Sequence, residues 1–539
     1  MSQQQVEAAA DQPPAAGATE PEPKSAREIR VVMIGLVIAM LLAMLDNLII
    51  GTAMPTIVGE LGGSEHLAWV VTAYTLATAV STPIWGKLGD LYGRKGTFLT
   101  SIVIFLVGSA LCGVSDSMTQ LIAFRALQGL GAGGLMVGVM SIMGALVPPR
   151  DRGKYQGMFA AVMALATVGG PLIGGFLTDH LSWRWTFYVN LPLGAVALAF
   201  IVLTLHLPKM RSKAKIDYLG ALLLTAGITS MVLITTWGGQ QYDWGSKQIL
   251  GLAALGAASL IGFCYVEQRA EEPVIPLALF KIRNFTMVSI IGFIVGFAMF
   301  GAVAYLPLYQ QIVQGASATN SGLLLMPMMF GMLAVSLVVG QAVSKTGKYR
   351  IYPIIGTAVM AGGSLLLSTL GTDTGRFASS CYMVVLGAGM GFLMQITMLV
   401  AQNSVELKDM GVASSSATLF RTIGGSFGVA LFGALFNNRV KDTLTEAAAK
   451  AAQSGQGGQG AGGGTAAADS GQQALDPTSL KTATAAVQDL AHHAVSNGMH
   501  TVFLWGAVVS LIAVAAAIFL REIPLRGAAQ KPEPQLEAV

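Results

Sequence analysis

Charge is what this sequence has least of. Asp, Glu, Lys and Arg make up 11% of its 539 residues, against about 25% in a soluble globular domain. Such a chain cannot cover a folded surface with polar side chains, so a water-soluble globule is excluded. Cysteine is scarcer still. Cys112, Cys264 and Cys381 lie far apart within apolar stretches, which implies neither a disulfide framework nor a metal cluster. There is no G-x-x-x-x-G-K-[ST] phosphate loop, no H-E-x-x-H helix, and no polar stretch long enough to house a nucleotide. These absences argue against an ATP-driven pump or a membrane-embedded enzyme, and no cofactor, metal or nucleic-acid partner is expected.

What the sequence has instead is apolar length. Hydrophobic residues make up 53% of it, gathered into runs of 18 or more, each enough for a helix to cross a hydrocarbon core of about 30 Å. Fourteen spans are read: 31–52, 67–86, 97–114, 119–147, 155–178, 185–207, 216–238, 248–267, 285–308, 321–343, 351–370, 378–402, 412–437 and 500–520. The fold class is an all-α polytopic membrane protein in the cytoplasmic (plasma) membrane. With the N-terminus inside, inner segments hold 23 of the 32 Lys and Arg residues and outer loops seven, while Arg125 and Arg421 lie within spans. That bias puts both termini, 1–30 and 522–539, on the cytoplasmic side. Residues 1–30 are polar and rich in Pro, Ala and Gln, and read as a disordered tail. Their basic cluster resembles a signal peptide, but the run after it is too long and lacks an A-x-A cleavage site. The extracytoplasmic loop 438–499 holds a Gly/Gln/Ala tract that cannot bury a core; His492 and His493 near its end read as solvent-exposed side chains.

The chain also repeats itself. GKLGDLYGRKG from Gly86 and GQAVSKTGKYR from Gly340 share glycines at their first and eighth positions and a cation at the ninth, 254 residues apart. TVGGPLIGG from Thr167 and TIGGSFGVA from Thr422 lie 255 apart. The same offset applied to the first span predicts a partner near residue 285, where the ninth span begins. Residues 31–207 and 285–521 are therefore parallel six-helix repeats, and 208–284 is an inserted two-helix linker. Parallel halves with a substrate site between them characterise one class of transporter.

Three charges fall deep inside spans. Asp46 is the only acid deep in an apolar span of the first repeat, and an acid at a helix centre costs roughly 2.5–3.5 kcal/mol on insertion scales. It lies about 22 Å from the inner boundary, and Arg125, entering from the other side, about 21 Å. At equal depth the two can pair directly or through water. Two readings stand: a static pair that fixes helix packing, or a proton-coupling site where an acid loads on one side and releases on the other. Around Arg125, RALQGLGAGGL (125–135) contains a G-x-G-x-x-G string, yet one apolar run encloses it, with no strand before it and no following strand ending in an acid. On a helix Arg125, Gly129 and Gly133 share one stripe with G-x-x-x-G spacing, which suits close approach of a neighbouring helix. Arg421 lies nine residues into the thirteenth span; packing and coupling are equally open, with Gln395 or a backbone carbonyl as partner. Trp69, Tyr74, Tyr305 and Tyr309 read as interfacial anchors before cavity-lining groups.

Taken together, these motifs resemble the major facilitator superfamily, in particular its fourteen-span drug:proton antiporter branch. GKLGDLYGRKG resembles the cytoplasmic signature between spans 2 and 3, RALQGLGAGGL the span 4 motif, and GPLIGG (170–175) the antiporter motif of span 5. LDNLIIGTAMPTI (45–57) and WRWTFYVNLPLG (183–194) are similar to further motifs of the branch, with Leu48 and Gly51 where Thr and Asn are common. The resemblance implies a proton-coupled antiporter that exports amphipathic or cationic drugs, with multidrug efflux and antibiotic resistance as its setting. It implies that Asp46 and Arg125 couple protons and that Gly86, Asp90, Gly93 and Arg94 form a cytoplasmic gate, with Asp90 bonding a neighbouring helix. Ser344 stands at the Asp90 position of the second repeat, so a latch there is weaker. Gly170, Pro171, Gly174 and Gly175 would form a flexible outer gate, or simply a glycine-rich packing seam. Export of one natural product, siderophore or lipid is the alternative within transport, and a non-transporting membrane sensor the alternative outside it.

Overall fold

The computed structural model describes residues 26–62, 67–148, 152–206, 217–238, 241–243, 245–316, 323–453, 480 and 484–525. Among these, fourteen long helical segments follow one another: α1 (Ala26–Leu61), α2 (Leu67–Tyr92), α3 (Arg94–Gly113), α4 (Met118–Leu146), α5 (Arg152–His180), α6 (Trp185–Thr204), α7 (Tyr218–Trp237), α8 (Lys247–Glu267), α9 (Arg283–Ile312), α10 (Met326–Thr346), α11 (Ile351–Ser368), α12 (Arg376–Asn403), α13 (Met410–Gln453) and α14 (Ala485–Ile518). Twelve of them are long and apolar enough to cross a membrane. The other two, α2 and α5, match them in length at 26 and 29 residues; the count of twelve is of the described residues alone.

Local chemistry sets several helix ends. Ser117 accepts a hydrogen bond from the Gln120 amide at the start of α4, and Ser246 one from Ile249 at the start of α8. Gly347, at φ 70°, closes α10 in the left-handed conformation. Two helices outrun their expected spans by the most. α13 continues from 437 to Gln453, and α14 begins at Ala485 rather than 500. The ends of the loop read as 438–499 are thus helical, because TLTEAAAKAAQ and AAVQDLAHHA are rich in strong helix formers. Its Gly/Gln tract lies outside the described residues from 454 on, as do residues 1–25 of the N-terminal tail.

Two helix groups pack in the same order. In the first, α1 lies on α5 and α6, and α4 on α2 and α3; eight helices later, α9 lies on α13 and α14, and α12 on α10 and α11. The groups meet along α2 with α13 and along α5 with α10, two seams that interchange under the same eight-helix shift. The helices α7 and α8 pair with each other, and α7 lies beside the α2–α13 seam, where Trp69 meets Trp237 edge-on at 5.6 Å. Glycine permits the tightest approaches. A Cβ on Gly129 would collide with the Tyr74 carbonyl, and one on Gly131 would stand 2.7 Å from Phe105 Cα, so α4 seats α2 and α3 with alternate glycines. Gly387, Gly389 and Gly391 do the same for α12 against α10 and α11, an echo of 129, 131 and 133.

Candidate functional site

Asp46 sits in the middle of α1 with its carboxylate fully engaged. Its Oδ2 accepts from Arg125 Nη1 at 2.7 Å, and its Oδ1 accepts from Gln128 Nε2 and Asn190 Nδ2, each at 2.7 Å. Arg125 Nη1 also donates to Gln128 Oε1 at 2.9 Å, and its guanidinium lies 4.0 Å over the Tyr74 ring. Asn190 Nδ2 reaches Ser109 Oγ at 2.9 Å, whose hydroxyl in turn donates to the Phe187 carbonyl. Asp46 is 2% exposed; Arg125, Gln128 and Asn190 are 0%. A buried carboxylate is tolerated only when paired and hydrogen-bonded, and here three donors do both. Two atoms are left over: Arg125 Nη2 and Asn190 Oδ1 are buried without a hydrogen-bond partner.

All of these groups belong to the first helix group. Sequence reasoning pairs Asp46 with Arg125 but misses Gln128, Asn190, Ser109 and the stacking role of Tyr74. Two signals were present. Gln128 lies one helical turn from Arg125 inside RALQG, and Asn190 is a polar side chain inside an apolar span. The motif WRWTFYVNLPLG also fastens the opposite end of α1: Trp183 Nε1 donates to Glu60 at 2.7 Å and Arg184 Nη1 at 2.5 Å.

A cavity of about 200 Å³ lies between the two helix groups. Methionines dominate its wall, among them Met40 and Met44 of α1, Met136 and Met140 of α4, and Met394 and Met398 of α12. Asp46 is not part of the wall. At 3.6 residues per turn it is rotated about 200° from Met44, which turns it away from the cavity and into the first group. Arg421 does line the cavity, together with Gln395, Thr418 and Thr422. Trp69, Tyr74, Tyr305 and Tyr309 do not. Tyr309 is fully buried and donates to the Gly371 carbonyl at 2.8 Å, while Tyr305 donates to that of Val429.

The two groups are bridged at the end of the bundle where α2 finishes and α13 starts. Asp90 Oδ1 accepts from the Gly411 amide at 3.0 Å and Oδ2 from the Val412 amide at 2.9 Å, so the carboxylate caps the first turn of α13. Arg94 Nη2 holds the same Oδ1 at 3.0 Å. Asp90 lies four residues beyond the span read as 67–86, and burial raises its pKa from 3.8 to about 6 against the opposing pull of Arg94 and the two amides. Gly86 makes the approach possible, since a Cβ there would stand 2.7 Å from Ser415 Cβ and 2.8 Å from the Gly411 carbonyl. Gly93, at φ 98°, turns the chain from α2 into α3. Two further ties close this end. Gln402 Nε2 donates to the Met140 carbonyl at 3.2 Å, and Lys87 pairs with Glu272 of the segment before α9 at 2.7 Å. Ser344, the counterpart of Asp90, is buried near the end of α10.

The glycines of span 5 divide. Gly170 lies against α1, where a Cβ would meet Leu48 Cβ at 2.6 Å, whereas Gly175 faces open space. Gly174 is buried and its carbonyl accepts from Thr178 Oγ1 at 2.7 Å. The helix α5 runs unbroken past Pro171, whose side chain lies outside the described residues. Gly170 therefore packs closely on α1 and Gly175 does not, since five residues of helix turn it about 140° away from that face. In α4, a Cβ on Gly133 would stand 2.7 Å from the Thr78 carbonyl of α2, as the stripe with Gly129 and Arg125 requires. The three cysteines are free, His493 is exposed, and no metal-binding cluster occurs among the described residues.

Known proteins share this architecture. The family profile described as Major Facilitator Superfamily matches residues 36–429. The multidrug transporter protein MdtP of Bacillus subtilis is 39% identical over 518 residues, covering 93% of this chain and 94% of the relative. Multidrug resistance protein 3 of the same bacterium is 39% identical over 418 residues, covering 78% and 81%. Among solved structures, the proton:xylose symporter XylE aligns with a TM-score of 0.58 at 14% identity, covering 91% of this chain and 95% of the other. The human organic anion transporter MFSD10 aligns at 0.57 and 12%, covering 92% and 100%. At these identities the two structures speak for the fold alone.

Proposed function

The chain belongs to the Major Facilitator Superfamily, a multi-pass membrane transporter and not an enzyme, and on that premise we propose that it is a proton-coupled antiporter exporting amphipathic compounds from the cytoplasm. In this reading all fourteen helices span the membrane, both termini are cytoplasmic, and two six-helix halves alternate around the cavity between them. Relatives named as a multidrug transporter and a multidrug resistance protein support efflux of drug-like molecules.

The observation that carries the proposal is the placement of Asp46. A carboxylate with three donors, buried inside one half and one helix face away from the cavity, is suited to act on protons without touching substrate. Protonation removes the counter-charge of Arg125 and turns an acceptor into a donor, so Gln128 and Asn190 must reorganise with it. Both side chains bridge α1 to neighbouring helices, and α1 also lines the cavity through Met40 and Met44. Coupling would then run through the position of α1, not through competition of a cation and a proton for one carboxylate. The Met-rich wall adapts to varied shapes, which favours a broad exporter over one dedicated to a single product.

The test is flux of a fluorescent amphiphile in proteoliposomes under an imposed pH gradient without ATP. Wild-type protein should transport, and Asp46→Asn should lose gradient-driven flux by about tenfold or more. Equal gradient-driven flux in the variant would sink the coupling assignment, and flux that needed ATP would sink the mechanism.

A further inference from the structure

We propose that the cavity between the halves takes amphipathic anions, molecules with a bulky apolar body and one carboxylate or sulfonate group, with Arg421 as the residue that seats the negative charge. The inference rests on the cavity being the transport site and narrows it to one charge type.

Among the described residues, Arg421 is the only ionisable side chain in the cavity wall. No described carboxylate lies within ion-pair distance of it, and none accepts a hydrogen bond from its guanidinium. It is held in place by its backbone, since Gly296 of α9 lies directly against the Arg421 carbonyl. The hydroxyls beside it donate inward along α13: Thr418 Oγ1 to the Ser414 carbonyl at 2.9 Å and Thr422 Oγ1 to the Thr418 carbonyl at 3.0 Å. The rest of the wall is mainly methionine and phenylalanine. A cation entering this space meets a fixed like charge and no carboxylate, because Asp46 faces the other way with both oxygens occupied. An anion supplies the counter-charge that Arg421 lacks. A guanidinium presents parallel N–H donors that match a carboxylate or sulfonate, and the methionines adapt to the apolar body. The direction of transport agrees. Export of a monovalent anion in exchange for one inbound proton moves two elementary charges the way an inside-negative potential drives them, whereas exchange of a monovalent cation for one proton moves no net charge and gains nothing from the potential.

A matched pair of probes tests this: pyrene-1-sulfonate and 1-pyrenylmethylammonium, which share the ring and differ in charge. Equilibrium binding to the purified full-length protein should give saturable binding of the sulfonate with a Kd about tenfold or more below that of the ammonium. Arg421→Gln should abolish or invert that preference, and Arg421→Lys should retain it. Tighter or equal binding of the ammonium, absence of saturable sulfonate binding, or sulfonate affinity that survives in Arg421→Gln would each overturn the proposal. The wild-type comparison decides by itself if the glutamine variant does not fold. Flux of both probes in proteoliposomes separates this inference from the export reading. Sulfonate binding without gradient-driven flux would remove proton-coupled export and leave the anion site standing. Gradient-driven flux of the ammonium in preference to the sulfonate would remove the anion site and leave export standing.

Discussion

At the scale of single residues, Arg125 and Asp46 hold each other in a place where neither is tolerable alone. Removing one partner of a buried pair leaves an uncompensated charge and costs about 3–5 kcal/mol. Arg125→Gln strands a carboxylate that still has donors from Gln128 and Asn190. Asp46→Asn strands a guanidinium that has only Gln128, the Val70 carbonyl and the Tyr74 ring. Both single variants should melt well below wild type in detergent. The double variant should recover part of the loss, a coupling of about 1–3 kcal/mol in a double-mutant cycle. Strict additivity would mean the two side chains act independently, against the 2.7 Å contact. This pair was legible in the sequence because charge inside a lipid span is conspicuous. Gln128 and Asn190 were not, since a neutral amide among apolar residues announces no partner until the helices are packed.

At the scale of helices, glycine placement decides how closely neighbours approach, and adjacent positions differ sharply. On α11, a Cβ at Gly363 would sit 2.6 Å from the Leu386 backbone N of α12, while a Cβ at Gly362 would meet nothing within 4 Å. Gly363→Ala should therefore destabilise by about 1–3 kcal/mol through overpacking. Gly362→Ala should be neutral or stabilising by up to about 1 kcal/mol through helix propensity. Thermal melting of the two variants side by side checks both, and similar losses would refute the packing geometry. The same contrast explains what the sequence revealed about elements. The G-x-x-x-G stripe at 129 and 133 stands out in the sequence beside Arg125, whereas the matching stripe at 387 and 391 has no flanking arginine to mark it. Span positions were readable from hydropathy. The ends of α13 and α14 were not, because alanine-rich turns extend a helix beyond the lipid without adding hydrophobic length.

At the scale of the whole molecule, the question is what decides between two arrangements of the halves, and the Asp90 latch makes that choice sensitive to pH. Latched onto the α13 amides, Asp90 has a pKa of about 6, raised chiefly by burial; released into water it returns to 3.8. A group that binds its proton more tightly in one state favours that state as pH falls. The latched arrangement therefore gains its full advantage below 3.8 and loses it as pH rises through about 6. Between pH 7.5 and pH 5 the ratio of latched to released molecules should rise by roughly tenfold. Spin labels at Tyr92, on the end of α2, and at Lys408, before α13, are both exposed and would report the distance across the latch. Wild-type protein should shift toward the short distance on acidification, and Asp90→Asn should show no such dependence. A short-distance population that grows on raising the pH would reverse the assigned sign. The same proton that enters through the bundle would then have a second target at its far end, one that holds the halves together on the side where Gln402 and Lys87 also cross between elements.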